Sequence, residues 1–293
     1  MNLKKYPRVT VLIPCFQASE YVGDAINCAL AQTYGHVEIV VAPDDGDTYL
    51  HLRETFKSPQ LRIIPPGPVQ GSGAGAARNR AIDASSGEYF AVLDADDLIS
   101  PNYIESLMRV AMVEGAAVAP TRYVDWTSLT PVRIPPVHNK LLSLSGYSQL
   151  LSSIHPLIHR SLETGYCSGF AEDVVHDGTV IAKLGTIAVV DSVSYDLRIR
   201  TGSACGAGPA EELNIQATYA NRIRQIMRDP CSVFVQALTA HDRRDFVELF
   251  RFRAMVSKEF SGSGASCYNA WVAGREAELW DRFTSLCTPS ELA

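Results

Sequence analysis

Asp94-Ala95-Asp96-Asp97 places three carboxylates directly behind a short apolar run, Tyr89 to Leu93 (YFAVL). In extended backbone, side chains two residues apart leave the chain on the same side, so Asp94 and Asp96 point together. Carboxylates crowded in this way repel one another, and a divalent cation relieves the repulsion. Hard oxygen donors suit Mn2+ or Mg2+. Such an ion also takes oxygens from a substrate diphosphate and, as a Lewis acid, neutralises charge that grows on a leaving group. The same acids equally suit a turn and cap ahead of a helix opened by Ser100-Pro101, and the spacing alone leaves both readings open. A second acidic pair, Glu172-Asp173, stands near the start of a helical stretch from Phe170 to Leu184. A helix dipole favours acids there whatever their chemistry.

The elements that must carry these acids alternate. Val9 to Pro14 is a β-branched apolar run that predicts a buried strand, followed by an amphipathic helix with Val22, Ile26, Ala29 and Leu30 on one stripe and Ser19 as its cap. Val37 to Val41 predicts a second strand closing on Pro43-Asp44-Asp45-Gly46-Asp47, and Arg62 to Ile64 a third. A helix is expected over Ala74 to Ala84, a fourth strand over Tyr89 to Leu93, and a helix from Ser100-Pro101 to Glu114. Strands and helices alternating at this spacing predict a doubly wound, mostly parallel α/β sheet, whose ligands gather beyond the carboxyl ends of the strands. Gly71, Gly73 and Gly75 follow a Pro-Pro-Gly-Pro run, not a strand end, and so are not a dinucleotide fingerprint. His155 and His159 are separated by Pro156, which breaks a helix between them, so they are not read as a metal pair.

Three segments in order, VTVLIPCFQASEYVGDAINCALAQTY, VEIVVAPDDGD and GAARNRAIDASSGEYFAVLDADD, resemble the N-terminal half of the family 2 glycosyltransferases over about residues 8–120. The resemblance implies a GT-A fold and an inverting transfer of a sugar from a nucleotide-sugar, with a UDP-sugar the expected donor. It implies Asp96 as the metal ligand with Asp94 as its partner, and a Mn2+ or Mg2+ cofactor. It implies a nucleotide pocket of Pro14, Cys15 and Phe16 with Asp44 or Asp45, Arg78 near the base or diphosphate, and Asp94-Ala95 on the donor side. A carboxylate accepts from a pyrimidine imide N–H, which suits this assignment. The family commonly reads Val-Asp-Asp-Gly-Ser where this chain has Pro43 ahead of its acids and Asp47 in place of serine. That departure leaves the register between Asp44 and Asp45 open. Glu172-Asp173 matches the family's Glu-Asp motif, implying Asp173 as general base with Glu172 orienting it. His176 is the candidate further metal ligand, and Arg200, in the Arg198 to Ser203 segment, a candidate diphosphate contact. The Gln-x-x-Arg-Trp motif of processive synthases is absent.

The remaining expectations come from composition. The chain has 293 residues and a net charge of −6, which disfavours a sequence-independent grip on nucleic acid. Its seven cysteines are widely spaced with no Cys-x-x-Cys, which predicts a reducing compartment and a cytoplasmic protein without a disulfide framework. The N-terminus lacks the apolar core of a signal peptide, and no membrane span is expected. The expected organisation is a glycosyltransferase domain over 1–208, divided into a nucleotide-sugar half (1–120) and an acceptor half (121–208). The small-residue segment 201–209 then leads into a helical extension over 209–293, where Phe246, Leu249, Phe250, Arg253 and Val256 form one stripe. That extension is expected to pack on the rest of the chain or to form a homodimer. The acceptor is not legible. Two rival functions carry sequence discriminators. A sugar-phosphate nucleotidyltransferase needs a Gly-rich, basic loop after the first strand, where this chain has Pro-Cys-Phe-Gln-Ala-Ser. A non-catalytic glycosyltransferase-like binding or assembly protein has no need of Asp94, Asp96 and Asp173, all present here.

Overall fold

The structure, a computed structural model, describes residues 6–137, 139–200, 209–228 and 238–286, with side chains of the second helical region described from 217 to 226. The first elements are β1 (Val9–Cys15), α1 (Val22–Leu30), β2 (Val37–Pro43), α2 (His51–Phe56), β3 (Leu61–Ile63), α3 (Ala74–Ala84), β4 (Tyr89–Val92), β5 (Leu98–Ile99) and α4 (Tyr103–Glu114). Then come β6 (Ala116–Val118), β7 (Thr121–Asp125), β8 (Pro131–Arg133), β9 (Leu141–Leu142), α5 (Leu144–Leu150), β10 (Leu157–His159), α6 (Glu172–Leu184), β11 (Ile187–Val189) and β12 (Tyr195–Ile199). The chain finishes with helices α7 (Pro209–Arg228), α8 (Ala240–Ser263), α9 (Tyr268–Val272) and α10 (Glu276–Leu286). Among the described residues no helix is long and apolar enough to cross a membrane.

Two compact units interleave along the chain. The first comprises residues 1–120, 154–177 and 187–197; the second comprises 121–153, 178–186 and 198–293. This differs from the expected succession with a boundary near 208. Residues 121–153 group with the C-terminal helices, and the small-residue segment 201–208 lies outside the described residues.

In the first unit the sheet order is β3-β2-β1-β4-β10-β6-β11. The strands β3, β2, β1 and β4 are parallel, β10 runs antiparallel between β4 and β6, and β11 is parallel to β6. The expected mostly parallel α/β sheet is therefore present. Every residue of β1 and β2 is buried, which is why these strands read as unbroken apolar runs: helices cover both faces of a parallel sheet. Their two polar residues are paired with each other, Thr10 donating to Glu38 at 3.0 Å. The strand order reverses between β1 and β4, where Leu12 lies opposite Val92. The carboxyl ends of these two strands open a crevice of the kind that binds ligands in open α/β sheets.

Local signals set several boundaries differently. Ser19 does not cap α1; its hydroxyl donates to Asp47 at 3.3 Å, and the cap position falls to Tyr21. Asp94 to Asp97 leads into the short strand β5, not directly into a helix, and α4 begins at Tyr103 because Ser100 pairs with Ser194. Helix α6 begins at Glu172, not Phe170, since Ala171 sits at φ 62°, in the left-handed region that no helix continues through.

The second unit is built on the β7–β8 hairpin, with Tyr123 opposite Arg133, and on helices α5 and α7 to α10. The predicted stripe of α8 is buried throughout: Phe246, Leu249, Phe250, Arg253 and Val256 are each at most 6% exposed. Arg133 is buried and donates to Glu276 at 2.8 Å, Asn269 at 3.0 Å, and the carbonyls of Leu150 and Leu151. Arg253 donates to the Ser152 carbonyl at 2.8 Å. These bonds tie the C-terminal helices to residues 121–153. The apolar stripe is thus packed within its own unit.

Candidate active site

Helix α3 carries the residue that organises the first unit's carboxylates. Arg78 is only 2% exposed, and one terminal nitrogen donates to Asp94 at 2.7 Å while the other donates to Glu172 at 2.7 Å. A planar guanidinium can hold two carboxylates at once in a fixed fork. Here it joins the end of β4 to the start of α6. Asp94 also faces the His155 imidazole at 3.7 Å, and its backbone N–H donates to the Tyr195 hydroxyl at 3.0 Å. Burial works against the charge on Asp94, but Arg78 and His155 outweigh it and hold the carboxyl below its usual range. Tyr195 in turn donates to Asp97 at 2.9 Å. Burial alternates along the turn, with Ala95 and Asp97 buried and Asp94 and Asp96 partly exposed. The segment is a tight turn closed by the Asp97 N–H donating to the Asp94 carbonyl at 3.1 Å, not the extended backbone on which the period-two expectation rested.

Glu172 is in a different electrostatic position. Burial and the adjacent Asp173 outweigh the attraction of Arg78, and its carboxyl is pushed up to about 7. The approach to this pair is constrained. Asn79 donates to the Tyr166 carbonyl at 2.9 Å and accepts from the Tyr166 N–H at 2.8 Å, holding residues 163–171 against α3. Gly75 permits that closeness, because a Cβ there would meet the Cys167 carbonyl oxygen at 2.7 Å and Glu172 Cγ at 2.9 Å. The strained φ at Ala171 then turns the chain so that Glu172 and Asp173 open α6.

At the end of β1, Cys15 is buried and its thiol is pushed up to about 12, chiefly by burial, so it serves as a small apolar residue and not as a nucleophile. Pro14 is buried as well, whereas Phe16 is 50% exposed and offers a ring face beside Gly71. Asp44 and Asp45 take different roles. Asp44 is 2% exposed and accepts from Ser72, from the Gly73 N–H at 2.8 Å and from Arg80 at 3.2 Å. It secures the Gly-rich loop. Asp45 is half-buried and accepts from the Gln17 N–H at 2.5 Å, the Tyr49 hydroxyl at 2.6 Å and the Asp47 N–H at 3.1 Å.

His176 departs from the ligand role expected of it. Its ring is 2% exposed, its Nε2 lies 3.2 Å from Glu163, its Nδ1 lies 3.4 Å from Asp177, and it stacks on Tyr166 at 4.1 Å. Burial disfavours its charge, but the hydrogen bonds to Asp177 and Glu163 prevail and raise it to about 9. A protonated imidazole with both nitrogens turned to carboxylates has no lone pair for a metal. Arg200 lies in the second unit.

Among the described residues no three His, Cys, Asp or Glu side chains converge as a metal cage. The donor set nevertheless suits one kind of ion. Asp96 with Asp94 offers hard oxygens, and Mg2+ or Mn2+ commonly takes one or two protein carboxylates and completes its shell from water and substrate phosphate. Residues that sequence reasoning did not assign to the site include His155, Glu163, Tyr166 and Tyr195. None carries a local motif, and each comes to the carboxylates only through the sheet order and the 163–171 turn.

A mostly parallel sheet with acids at the switch point, held by one arginine to a second acid at a helix start, is a ligand-binding α/β fold with an acidic crevice. The sequence profile of glycosyl transferase family 2 matches residues 10–174, more than half of the chain, and the protein belongs to that family. The succinoglycan biosynthesis protein ExoO of Rhizobium meliloti (strain 1021) is 28% identical over 222 residues, which cover 69% of this chain and 63% of ExoO. The putative teichuronic acid biosynthesis glycosyltransferase TuaG of Bacillus subtilis (strain 168) is 29% identical over 118 residues, 40% of this chain and 47% of TuaG. The chain thus spans less than two thirds of these relatives. In fold it is similar to residues 1–349 of TarS from S. aureus in complex with UDP-GlcNAc, with a TM-score of 0.64 at 16% identity, covering 94% of this chain and 79% of that one. It is also similar to the mannosyltransferase PcManGT of Pyrobaculum calidifontis in complex with GDP-Man and Mn2+, with a TM-score of 0.54 at 16% identity, covering 98% and 82% of the two chains.

Proposed function

We propose that this protein transfers a sugar from a nucleotide-sugar to an acceptor hydroxyl with inversion, as a step in glycan biosynthesis. The observation that carries the reading is the Arg78 bridge, which holds Asp94 at the end of β4 and Glu172 at the start of α6 on one guanidinium. It joins the acids that face the donor to the pair that faces the acceptor. Asp173 takes the acceptor hydroxyl's proton as that oxygen bonds to the anomeric carbon, and the bond from that carbon to the diphosphate oxygen breaks on the opposite face. The nucleoside diphosphate departs with the bonding pair. Glu172, held by Arg78, orients its neighbour and limits the negative charge around it. Phe16 offers a stacking face for the base, with Asp44 and Asp45 fixing the loops on either side.

Asp96, with Asp94 as partner, would hold a divalent ion shared with the diphosphate, and that ion would supply charge neutralisation for the leaving group. A UDP-linked donor is the first candidate, GDP-linked the second, since structural neighbours of this fold hold each. The family membership and the resemblance to exopolysaccharide and teichuronic acid proteins support glycan synthesis as the setting.

The test is calorimetric titration of the protein with UDP, GDP, dTDP and CDP, each with manganese and with chelator. Binding of one diphosphate that is lost with chelator is expected. Binding to none points instead to a non-catalytic relative. Asp96→Asn is expected to abolish most of the metal-dependent affinity while the fold persists. Asp173→Asn is expected to keep that affinity and lower transfer by roughly 10²–10⁴-fold. Undiminished transfer in Asp173→Asn removes the base assignment.

A further inference from the structure

We propose that His176 is a positioning residue for the catalytic acids: it locks the 163–171 turn onto α6 and thereby sets where Glu172 and Asp173 stand. The inference rests on the reading of Asp173 as the base. Its grounds are geometric. His176 lies one turn along α6 from Asp173, and its Nε2 reaches back to Glu163 at 3.2 Å, at the start of the turn that precedes the helix. Glu163 is itself fixed to that turn, accepting from the Gly165 N–H at 2.7 Å and the Thr164 N–H at 3.0 Å. The other ring nitrogen faces Asp177, whose second oxygen accepts from the Ile154 N–H at 3.4 Å. The imidazole face lies against Tyr166, the residue whose backbone Asn79 holds at both polar atoms. Arg78 also lies over the Tyr166 ring, 5.2 Å from its centroid.

Tyr166 is thus the shared neighbour of the arginine that holds Glu172 and the histidine that holds α6. The His176 struts add to the Asn79 bonds in holding the left-handed Ala171 between turn and helix, where backbone strain is stored. The groups facing His176 are the Glu163 and Asp177 carboxylates and the Tyr166 ring, so its bonds are ionic and buried. Removing the ring leaves two carboxylates without their counter-charge. The expected consequence is a misplaced base, because displacements of about 1 Å in such a constellation cost of order 10²-fold in rate.

The experiment compares wild type with His176→Gln, which retains amide hydrogen bonding, and His176→Phe, which retains the stack on Tyr166. Hydrogen exchange across residues 163–174 is read first, because it needs neither donor nor acceptor. Faster exchange there in both variants is expected, with Gln the milder; unchanged protection overturns the proposal even if the protein proves not to be a transferase. Titration with manganese and the nucleoside diphosphate that binds wild type is read second. Affinity within about twofold of wild type is expected, whereas loss of manganese affinity would make His176 a ligand and overturn the positioning role. Turnover is read third: kcat should fall roughly 10–100-fold with the donor KM little changed, and an unchanged kcat refutes the proposal. Should either variant fail to fold, Glu163→Gln tests the same strut from its other end. It is expected to show the same exchange and kcat signature at smaller amplitude, and wild-type behaviour in it would refute the strut.

Discussion

The charge states at the heart of the site follow from which carboxylates share a cation. Asp94 has Arg78, Glu163 has His176, and Glu172 shares Arg78 while sitting beside Asp173. The consequences for stability have definite signs. His176 is raised from its ordinary 6.5 to about 9, so the stability it contributes is complete below pH 6.5 and is lost as pH rises through 9. Glu172, raised from 4.5 to about 7, contributes stability that is complete below pH 4.5 and lost as pH rises through 7. Glu163 is lowered, although burial opposes that, and its contribution is lost as pH falls below the ordinary carboxylate range. Urea unfolding is therefore expected to show stability declining from about pH 5 to about pH 9.5. His176→Gln should flatten the upper part of that slope, and a slope unchanged in the variant would contradict the protonated state. Asp94, Glu172 and Asp173 were legible from their motifs, whereas Glu163 was not. Their partners were not, because Arg78 and Glu172 are 94 positions apart and His155 reaches Asp94 only through the antiparallel pairing of β10, just after it, with β4.

Elements place these residues through close approach as much as through hydrogen bonds. Helix α3 is weakly amphipathic, yet its boundaries, Ala74–Ala84, coincide with those the sequence predicts. Its buried face is made of glycine, alanine and one arginine. Small residues let the 163–171 turn come near, and the cost of enlarging one of them can be measured. Gly75→Val is expected to push the Cys167 carbonyl and Glu172 aside, lowering stability by roughly 1–3 kcal/mol. Transfer should fall further than the unfolded fraction explains. Circular dichroism melts alongside a turnover assay would separate the two, and wild-type transfer in a folded variant would dismiss the close-approach argument. The long buried strands β1 and β2 were readable because a parallel sheet covered on both faces demands continuous apolar residues. The short β5, β6 and β10 went unpredicted. Two- and three-residue strands take their conformation from the neighbours they pair with, not from their own pattern.

For the whole molecule, the interleaved units replace a consecutive arrangement. Residues 121–153, expected in the acceptor half of the glycosyltransferase domain, share a unit with the C-terminal helices through Arg133, whose side chain is fully buried and bonded to Glu276 and Asn269. Arg133→Met should leave the Glu276 carboxylate buried without its cation and cost about 3–5 kcal/mol, read as a lowered midpoint in urea. Arg133→Met combined with Glu276→Leu should recover most of that loss, and no recovery would show that the pair is not the source of the cost. The sequence by itself determined the sheet's central strands, the acids at their ends, the membership of a transferase family and the apolar stripes of the tail, because each is written in local pattern or contiguous motif. Only the tertiary structure decided which cation serves which carboxylate, that His176 is bonded to acids instead of standing free for a metal, and that the tail belongs with residues 121–153. Those outcomes depend on contacts between positions far apart in the chain, and local periodicity carries no information about which distant charge will be buried beside another.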